Sequence, residues 1–255
     1  MQLFGKNVVI TGATSGIGLE ILKKLIENKC NVVVGDICIN NKLDSELVEY
    51  VKCDVSKKED IDNLFDVAFN RFSKIDLFIS NAGFAYYEKI SKSDWEHIDK
   101  IFDVNVRAGI YIALKMKELY ENEEYNYVIT DSAMGLLAIP GYALYSGSKF
   151  AIKGFSDAYR YELTKNQHYQ VVYPIATKTN FFKNAGKDIP VAFPAQTAEK
   201  VAKKVIKGIK KNKKNIYPSA IFRLMDILNR IFPFIFKIYC KVNDKKFKKW
   251  LEESK

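Results

Sequence analysis

The stretch that most constrains this chain is KNVVITGATSGIGLEILKKLIEN, residues 6–28, where an apolar run meets a glycine-rich turn that opens directly into a helical pattern. Gly12, Gly16 and Gly18 stand at the junction. Glycines allow the tight turn, and the helix that follows presents its unpaired N–H groups and the positive end of its dipole to whatever approaches. A pyrophosphate suits such a turn, because nothing but backbone stands between it and those N–H groups. Strand, turn and helix occur in the required order, which three glycines at this spacing need not do by chance.

The alternation continues along the chain. KNVVI (6–10), NVVVG (31–35), VEYVKC (48–53), IDLFIS (75–80), YNYVITD (125–131) and QVVYPI (170–175) read as strands. Between them lie segments of helical length: GIGLEILKKLIEN, EDIDNLFDVAFNRF, the stretch from Asp94 to Tyr120, and YSGSKFAIKGFSDAYRYEL. Strands that are apolar throughout suit a parallel sheet covered on both faces. The prediction is a doubly wound α/β sheet of the Rossmann type over residues 1–218, with right-handed crossovers and a basic, apolar helical extension at 219–255. Asp36 closes the second strand, where a carboxylate can accept hydrogen bonds from a ribose diol and repel a 2′-phosphate. No Arg or Lys adjoins it, so NAD(H) is favoured over NADP(H).

Charge and cysteine usage narrow the partners. Residues 197–255 hold 17 Lys and Arg against 5 Asp and Glu, leaving 23 against 25 in residues 1–196. The main fold is slightly acidic, which argues against nucleic acid as its partner. Within the basic tail, IFPFIFKIYC is too short to span a bilayer. Its aromatic, aliphatic and basic residues suit a lid over the cleft, a subunit contact or a peripheral anchor on a membrane surface. Four cysteines without a C-x-x-C pair, and only His97 and His168 beside them, give no metal site and suit reduced thiols in a cytoplasmic protein. The opening MQLFGKNVVITG lacks the pattern of a secretory signal.

One pairing raises a question of chemistry. Tyr-x-x-x-Lys occurs three times, at Tyr111/Lys115, Tyr145/Lys149 and Tyr161/Lys165, and a chain with fifteen tyrosines and thirty-five lysines yields about two such matches by composition alone. Spacing cannot choose among them.

The motifs taken together can. T-G-x-x-x-G-x-G at 11–18, Asp54 at the end of the third strand, Asn81-Ala82-Gly83 after the fourth, Asn105 in DVNV, and Ser132 thirteen residues before Tyr145 resemble the short-chain dehydrogenase/reductase family over roughly residues 5–218. Tyr111 has Ile98 at that distance and Tyr161 has Ser148 on its own helix. The sequence departs from the family at Ser80, which replaces the first Asn of N-N-A-G, and at Ile175, which replaces the Gly of P-G-x-V-x-T.

The resemblance implies hydride transfer between a nicotinamide and a carbonyl or alcohol carbon, with Asn105, Ser132, Tyr145 and Lys149 as the catalytic set. Ser132 would hold the substrate oxygen, Lys149 would bond the nicotinamide ribose, and Asn105 would hold a water linking Lys149 to solvent. Cofactor contacts are implied at Gly12, Thr14, Ser15, Gly16, Ile17, Gly18, Asp36, Asp54, Val55, Asn81, Ala82, Gly83, Tyr145, Lys149, Pro174, Thr177 and Thr179, with homodimers or homotetramers as the usual assembly. The reaction needs an acid/base near neutral pH, and both histidines are poorly placed, His97 in an early helix turn and His168 in the loop entering the sixth strand. A phenol has an ordinary pKa of about 10, so Tyr145 is expected to need the Lys149 ammonium, one helical turn away, together with the positive nicotinamide to bring it down. Segments 83–90, 133–142 and 179–193 supply Phe84, Tyr86, Leu136, Leu137, Ile139, Tyr142, Phe181 and Phe182 as candidate walls for an apolar alcohol or ketone. The alternative is a dinucleotide-binding sensor or scaffold that docks through its basic tail with little turnover.

Overall fold

In the computed structural model, which describes residues 1–181, 185–186, 188–190 and 193–253, the glycine turn stands where predicted. Phe182 lies outside the described residues. Strand β1 (Asn7–Thr11) ends against Gly12 and helix α1 (Gly16–Glu27) begins four residues later. There follow β2 (Asn31–Asp36), β3 (Val48–Lys52), α2 (Lys58–Arg71), β4 (Leu77–Ser80), α3 (Trp95–Phe102), α4 (Ala108–Leu119), β5 (Tyr125–Thr130), α5 (Ala143–Tyr159) and β6 (Gln167–Val172). The chain then forms β7 (Thr177–Lys178), β8 (Gln196–Thr197), α6 (Ala198–Lys210), β9 (Asn215–Ile216), α7 (Ala220–Ile231) and α8 (Phe234–Glu253).

All six predicted strands lie in one parallel sheet of order β3-β2-β1-β4-β5-β6-β9. Alternate residues of β1 divide the core. Val8 and Ile10 face α1 and α6, packing with Ile21, Leu22, Val201 and Val205, whereas Val9 faces α2 and α4 with Leu64, Phe65 and Ile112. This two-sided burial is why the strands read as unbroken apolar runs. Between β3 and β4 the chain crosses from one side of β1 to the other, so the loops after β1 and β4 diverge and leave a crevice at the carboxyl ends of the strands.

Three details depart from the sequence reading. The sixth strand runs from Gln167 rather than from Gln170 and ends before Pro174, which has no N–H to continue the ladder; His168 is therefore in the strand, not in the loop before it. The stretch 94–120 is not one α-helix: a π-turn at Asp103–Arg107 joins α3 to α4 and carries Asn105. A seventh strand, β9, pairs Val171 and Val172 with Asn215 and Ile216. Helices α7 and α8 lie over the carboxyl end of the sheet, where Phe222 and Phe236 are buried in a cluster with Tyr87, Leu137, Tyr142 and Tyr145.

Candidate functional site

The nucleotide end is built from backbone contacts that only small residues permit. Gly12 has φ +68°, and a Cβ there would lie 2.8 Å from the Cα of Ala82. A Cβ on Gly18 would meet the Gly12 carbonyl oxygen at 2.0 Å and Asn81 Nδ2 at 2.6 Å. Asn81 holds this close approach together: its Nδ2 donates to the Gly12 carbonyl (2.8 Å) and its Oδ1 accepts from Thr130 Oγ1 (3.2 Å). Thr11 Oγ1 accepts from the N–H groups of Asn81 (3.1 Å) and Ala82 (3.2 Å). One asparagine thus ties the ends of β1, β4 and β5.

The crevice is a cleft of about 510 Å³. Asp36, Asp54 and Val55 line one end, Gly12, Ser15, Gly16, Ile17, Gly18, Asn81, Ala82 and Gly83 the middle, and Ser132, Tyr145, Lys149, Pro174, Thr177 and Thr179 the other end. Of the predicted site residues, Thr14 and Asn105 stand off the wall. Thr14 faces Asp36 instead, donating to Oδ2 from both its backbone N–H (3.0 Å) and its hydroxyl (2.8 Å). Asp36 Oδ1 accepts from the N–H of Cys38 at 3.2 Å, so the carboxylate fixes the glycine turn as well as facing the cleft. Asp54 Oδ1 accepts from Ser56 N–H and Oγ at 3.0 and 2.7 Å.

At the other end, Tyr145 and Lys149 share one face of α5 and are buried. The Lys149 ammonium lies 5.7 Å from the Tyr145 ring centroid and donates to the Thr130 carbonyl at 2.9 Å. Ser132 lies two residues beyond β5 and caps the short turn that follows, its Oγ accepting from Met134 N–H (3.1 Å) and meeting the Tyr145 phenol. Burial pushes the Tyr145 phenol well above its ordinary range, with the Ser132 hydroxyl opposing that rise and Asp131 adding to it. Burial also lowers the pKa of the Lys149 ammonium, with Asp131 opposing that fall. Asn105 acts through α5. Its Nδ2 donates to the Phe84 carbonyl (2.8 Å) and Ser148 Oγ (3.1 Å), and its Oδ1 accepts from Phe84 N–H (3.0 Å). Both amide protons are thereby used. A Cβ on Gly83 would come within 3.1 Å of Asn105 Oδ1 and 3.9 Å of Lys149 Nζ, so amide and ammonium meet beneath that glycine.

The rival Tyr–Lys pairs are elsewhere. Tyr111 and Lys115 both donate to Asp62 Oδ1, at 2.7 and 2.5 Å, on the surface where α4 meets α2, and Tyr161 is 94% exposed. His97 stacks on Tyr86 with ring centroids 3.9 Å apart and bonds Glu88 at 2.8 Å, off the cleft wall. Phe84, Leu137, Ile139 and Phe181 line the cleft as predicted, whereas Tyr86, Leu136 and Tyr142 support it from behind. Met134, Ile175, Ile221, Phe222, Met225 and Tyr239 complete the apolar wall, the last four from α7 and α8.

Asp131 is the site residue that sequence reasoning missed. It is 2% exposed, on the cleft wall directly before Ser132, and among the described residues its carboxylate oxygens meet no side-chain hydrogen-bond donor, only the neighbouring Ser132 backbone N–H favouring the charged form. Gly135 makes room for it, since a Cβ there would lie 2.4 Å from Oδ2. Burial pushes its carboxyl up to about 8, against the pull of Lys149 and Lys153. The available signal was a charged side chain immediately before the predicted serine. Among the described residues no group of His, Cys, Asp and Glu could hold a metal ion.

A doubly wound parallel sheet with a glycine turn at its switch point and a buried Ser-Tyr-Lys set defines a class of nucleotide-dependent oxidoreductases. The short chain dehydrogenase family model matches residues 6–190, and the chain belongs to that family. An uncharacterized oxidoreductase of Staphylococcus saprophyticus is 32% identical over 167 residues, 62% of this chain and 67% of the relative. The putative oxidoreductase SadH of Mycobacterium tuberculosis is 28% identical over 251 residues, 89% of this chain and 91% of the relative. A short chain dehydrogenase/reductase from Burkholderia phymatum in complex with NAD shares the fold at TM-score 0.76 and 20% identity, covering 90% of this chain and 94% of that one. One from Burkholderia cenocepacia in complex with NADP does so at TM-score 0.77 and 21% identity, with the same coverage.

Proposed function

We propose that the protein is an NAD(H)-linked oxidoreductase that interconverts an apolar ketone and its secondary alcohol, with Tyr145 as the acid/base. The observation that supports this best is the buried convergence of Ser132, Tyr145 and Lys149 at one end of a cleft whose other end is acidic and whose middle is glycine backbone. The donor set fits a dinucleotide. Asp36 can accept from ribose hydroxyls, Asp54 would adjoin the adenine, the turn and the start of α1 suit a pyrophosphate, and Thr179 and Lys149, both on the cleft wall, could donate to a carboxamide and a second ribose. The bound nicotinamide supplies or takes the hydride.

The chain's own residues do the rest. Ser132 Oγ and the Tyr145 phenol, facing each other, form two donors for one substrate oxygen. As a carbonyl is reduced, the phenol gives its proton to that oxygen; in the reverse direction the phenolate takes it back. Lys149, anchored on the Thr130 carbonyl, places positive charge beside the phenol and favours its ionised form. Asn105 positions α5 by clasping Phe84 and Ser148. Phe84, Leu137, Phe181, Phe222 and Met225 give the substrate end an apolar wall, with no Arg among its described residues to clamp a carboxylate.

A panel of apolar ketones and alcohols, followed by nicotinamide absorbance, tests the reading. Turnover with NADH on apolar ketones is expected; turnover confined to sugars or hydroxy acids refutes the substrate class. Asp36 predicts tighter binding of NADH than NADPH, and the reverse order defeats that assignment. Exposed Leu114 and Leu119 on α4 and Phe150 on α5 support subunit contact through those helices, for which light scattering should find a dimer or tetramer.

A further inference from the structure

The outer side of α7 and α8 has a composition unlike the rest of the surface. Each helix turns one side inward, where Phe222 and Phe236 lie parallel with ring centroids 6.1 Å apart. The other side of α7 carries Ile221, Leu224, Leu228 and Ile231, spaced to form one stripe. Ile221 is 64% exposed and Ile231 66%. Beyond the turn, exposed Phe234, Ile238 and Val242 repeat every four residues along α8.

Cations border both stripes. Arg223 and Arg230, the latter paired with Asp226 at 3.1 Å, flank that of α7, and exposed Lys237, Lys241 and Lys245 interleave with that of α8. Apolar side chains ringed by exposed Lys and Arg match the headgroup and acyl layers of a bilayer that carries negative charge. A second copy of the chain is a poor occupant, because a two-fold contact through this face would set its own cations against each other. Among the described residues no helix is long and apolar enough to cross a membrane, so the contact is with the surface.

The stripe also reaches the cleft. Ile221 belongs to both, exposed on α7 and lining the cavity beside Phe222 and Met225. Phe193, 78% exposed, adjoins the same rim, its carbonyl accepting from Tyr239 Oη at 2.9 Å. We infer that the outer face of α7 and α8 docks on a bilayer containing anionic lipid, turning the mouth of the cleft toward the acyl chains so that a membrane-dissolved substrate enters without crossing water. The docking stands independently of the reaction; the delivery of substrate rests on the oxidoreductase reading above.

Flotation of the full chain with vesicles tests the docking without any substrate. Vesicles of phosphatidylcholine mixed with phosphatidylglycerol should carry the protein upward, vesicles of phosphatidylcholine alone should carry much less, and added salt should release it. The Leu224→Ser/Leu228→Ser/Ile231→Ser variant changes only exposed side chains and should keep the wild-type melting temperature while losing lipid recovery. Lys237→Gln and Lys241→Gln should each lower the partition coefficient about fivefold on the mixed vesicles. Wild-type protein that stays with neither vesicle overturns the proposal, as does equal recovery of the serine variant. A wild-type oligomer that the serine variant converts to monomer, with no lipid binding by either, assigns the face to a second copy and overturns it too. Failure of the ketone panel would leave the flotation result standing.

Discussion

Gly18→Ala probes the turn at the point where the structure leaves no space. The added Cβ would sit 2.0 Å from the Gly12 carbonyl oxygen, against more than 3 Å for ordinary contact. That oxygen belongs to a backbone pinned on both sides, since Gly12 N–H donates to the Gly35 carbonyl at 2.9 Å and Asn81 Nδ2 donates to the Gly12 carbonyl itself at 2.8 Å. The turn must therefore shift by about 1 Å, and the Asn81 bond goes with it. Overpacking costs about 1–3 kcal/mol and the lost hydrogen bond about 1 kcal/mol. A total of about 2–4 kcal/mol corresponds to a fall of about 4–16 °C in melting temperature for a chain of this size. Thermal unfolding by circular dichroism reads the stability, and NADH fluorescence titration reads the displaced turn as weakened binding. Gly154→Ala is the control. Gly154 lies within α5 with nothing within 4 Å of its added Cβ, so the same change there should stabilise by about 0.5–1 kcal/mol. A Gly18→Ala protein that melts with the wild type and binds NADH equally well would refute the packing account of this turn.

Three further changes follow from particular contacts. Asp131 binds its proton more tightly folded than unfolded, so its contribution is fully present below about pH 4 and is lost as pH rises toward about 8. Asp131→Asn should accordingly melt with the wild type near pH 4 and above it by a margin that grows toward pH 8; a constant difference would show that the buried carboxyl does not titrate in that window. Asp36→Ala removes the acceptor of both Thr14 donors and the one suited to a ribose diol, so NADH should bind about tenfold more weakly or worse while NADPH changes less. Phe222→Ala opens a cavity where α7 meets the cleft and should cost about 3–5 kcal/mol, seen as a lower urea midpoint at unchanged slope; a shift under about 1 kcal/mol would mean that α7 contributes little to the fold.

Much of the fold was legible because burial on both faces makes a parallel strand apolar from end to end, as in NVVVG and YNYVIT. Strand β9 left no such mark. Two residues, Asn215 and Ile216, become a strand only by lying beside Val171 and Val172. The π-turn was equally silent, because Ile101, Ala108 and Ile112 keep a spacing that an uninterrupted helix also produces. At the site, the glycine turn and the Ser132, Tyr145, Lys149 spacing were readable as local patterns, whereas Thr14 turning from the cleft to Asp36 was not. Asp131 shows the limit most clearly: a carboxylate at a strand end reads as solvated, and only the packing of Gly135 and α5 removes it from water. The tail read as apolar and basic, but that Phe222 and Phe236 are the side chains it buries over the cleft depends on the fold of α7 and α8 against Leu137 and Tyr142 and left no local pattern.

Tyr145, proposed to move the proton that accompanies hydride transfer, is tested by comparing wild type and Tyr145→Phe on one reducible ketone while NADH binding is titrated in parallel. Loss of the phenol oxygen leaves the ring, its contacts with Phe181 and the cleft in place. The variant should bind NADH within about twofold of the wild type and lose about 10²–10⁴ in turnover, the usual contribution of a positioned acid/base. Equal turnover by the two proteins, or a loss explained by NADH binding alone, would contradict the account.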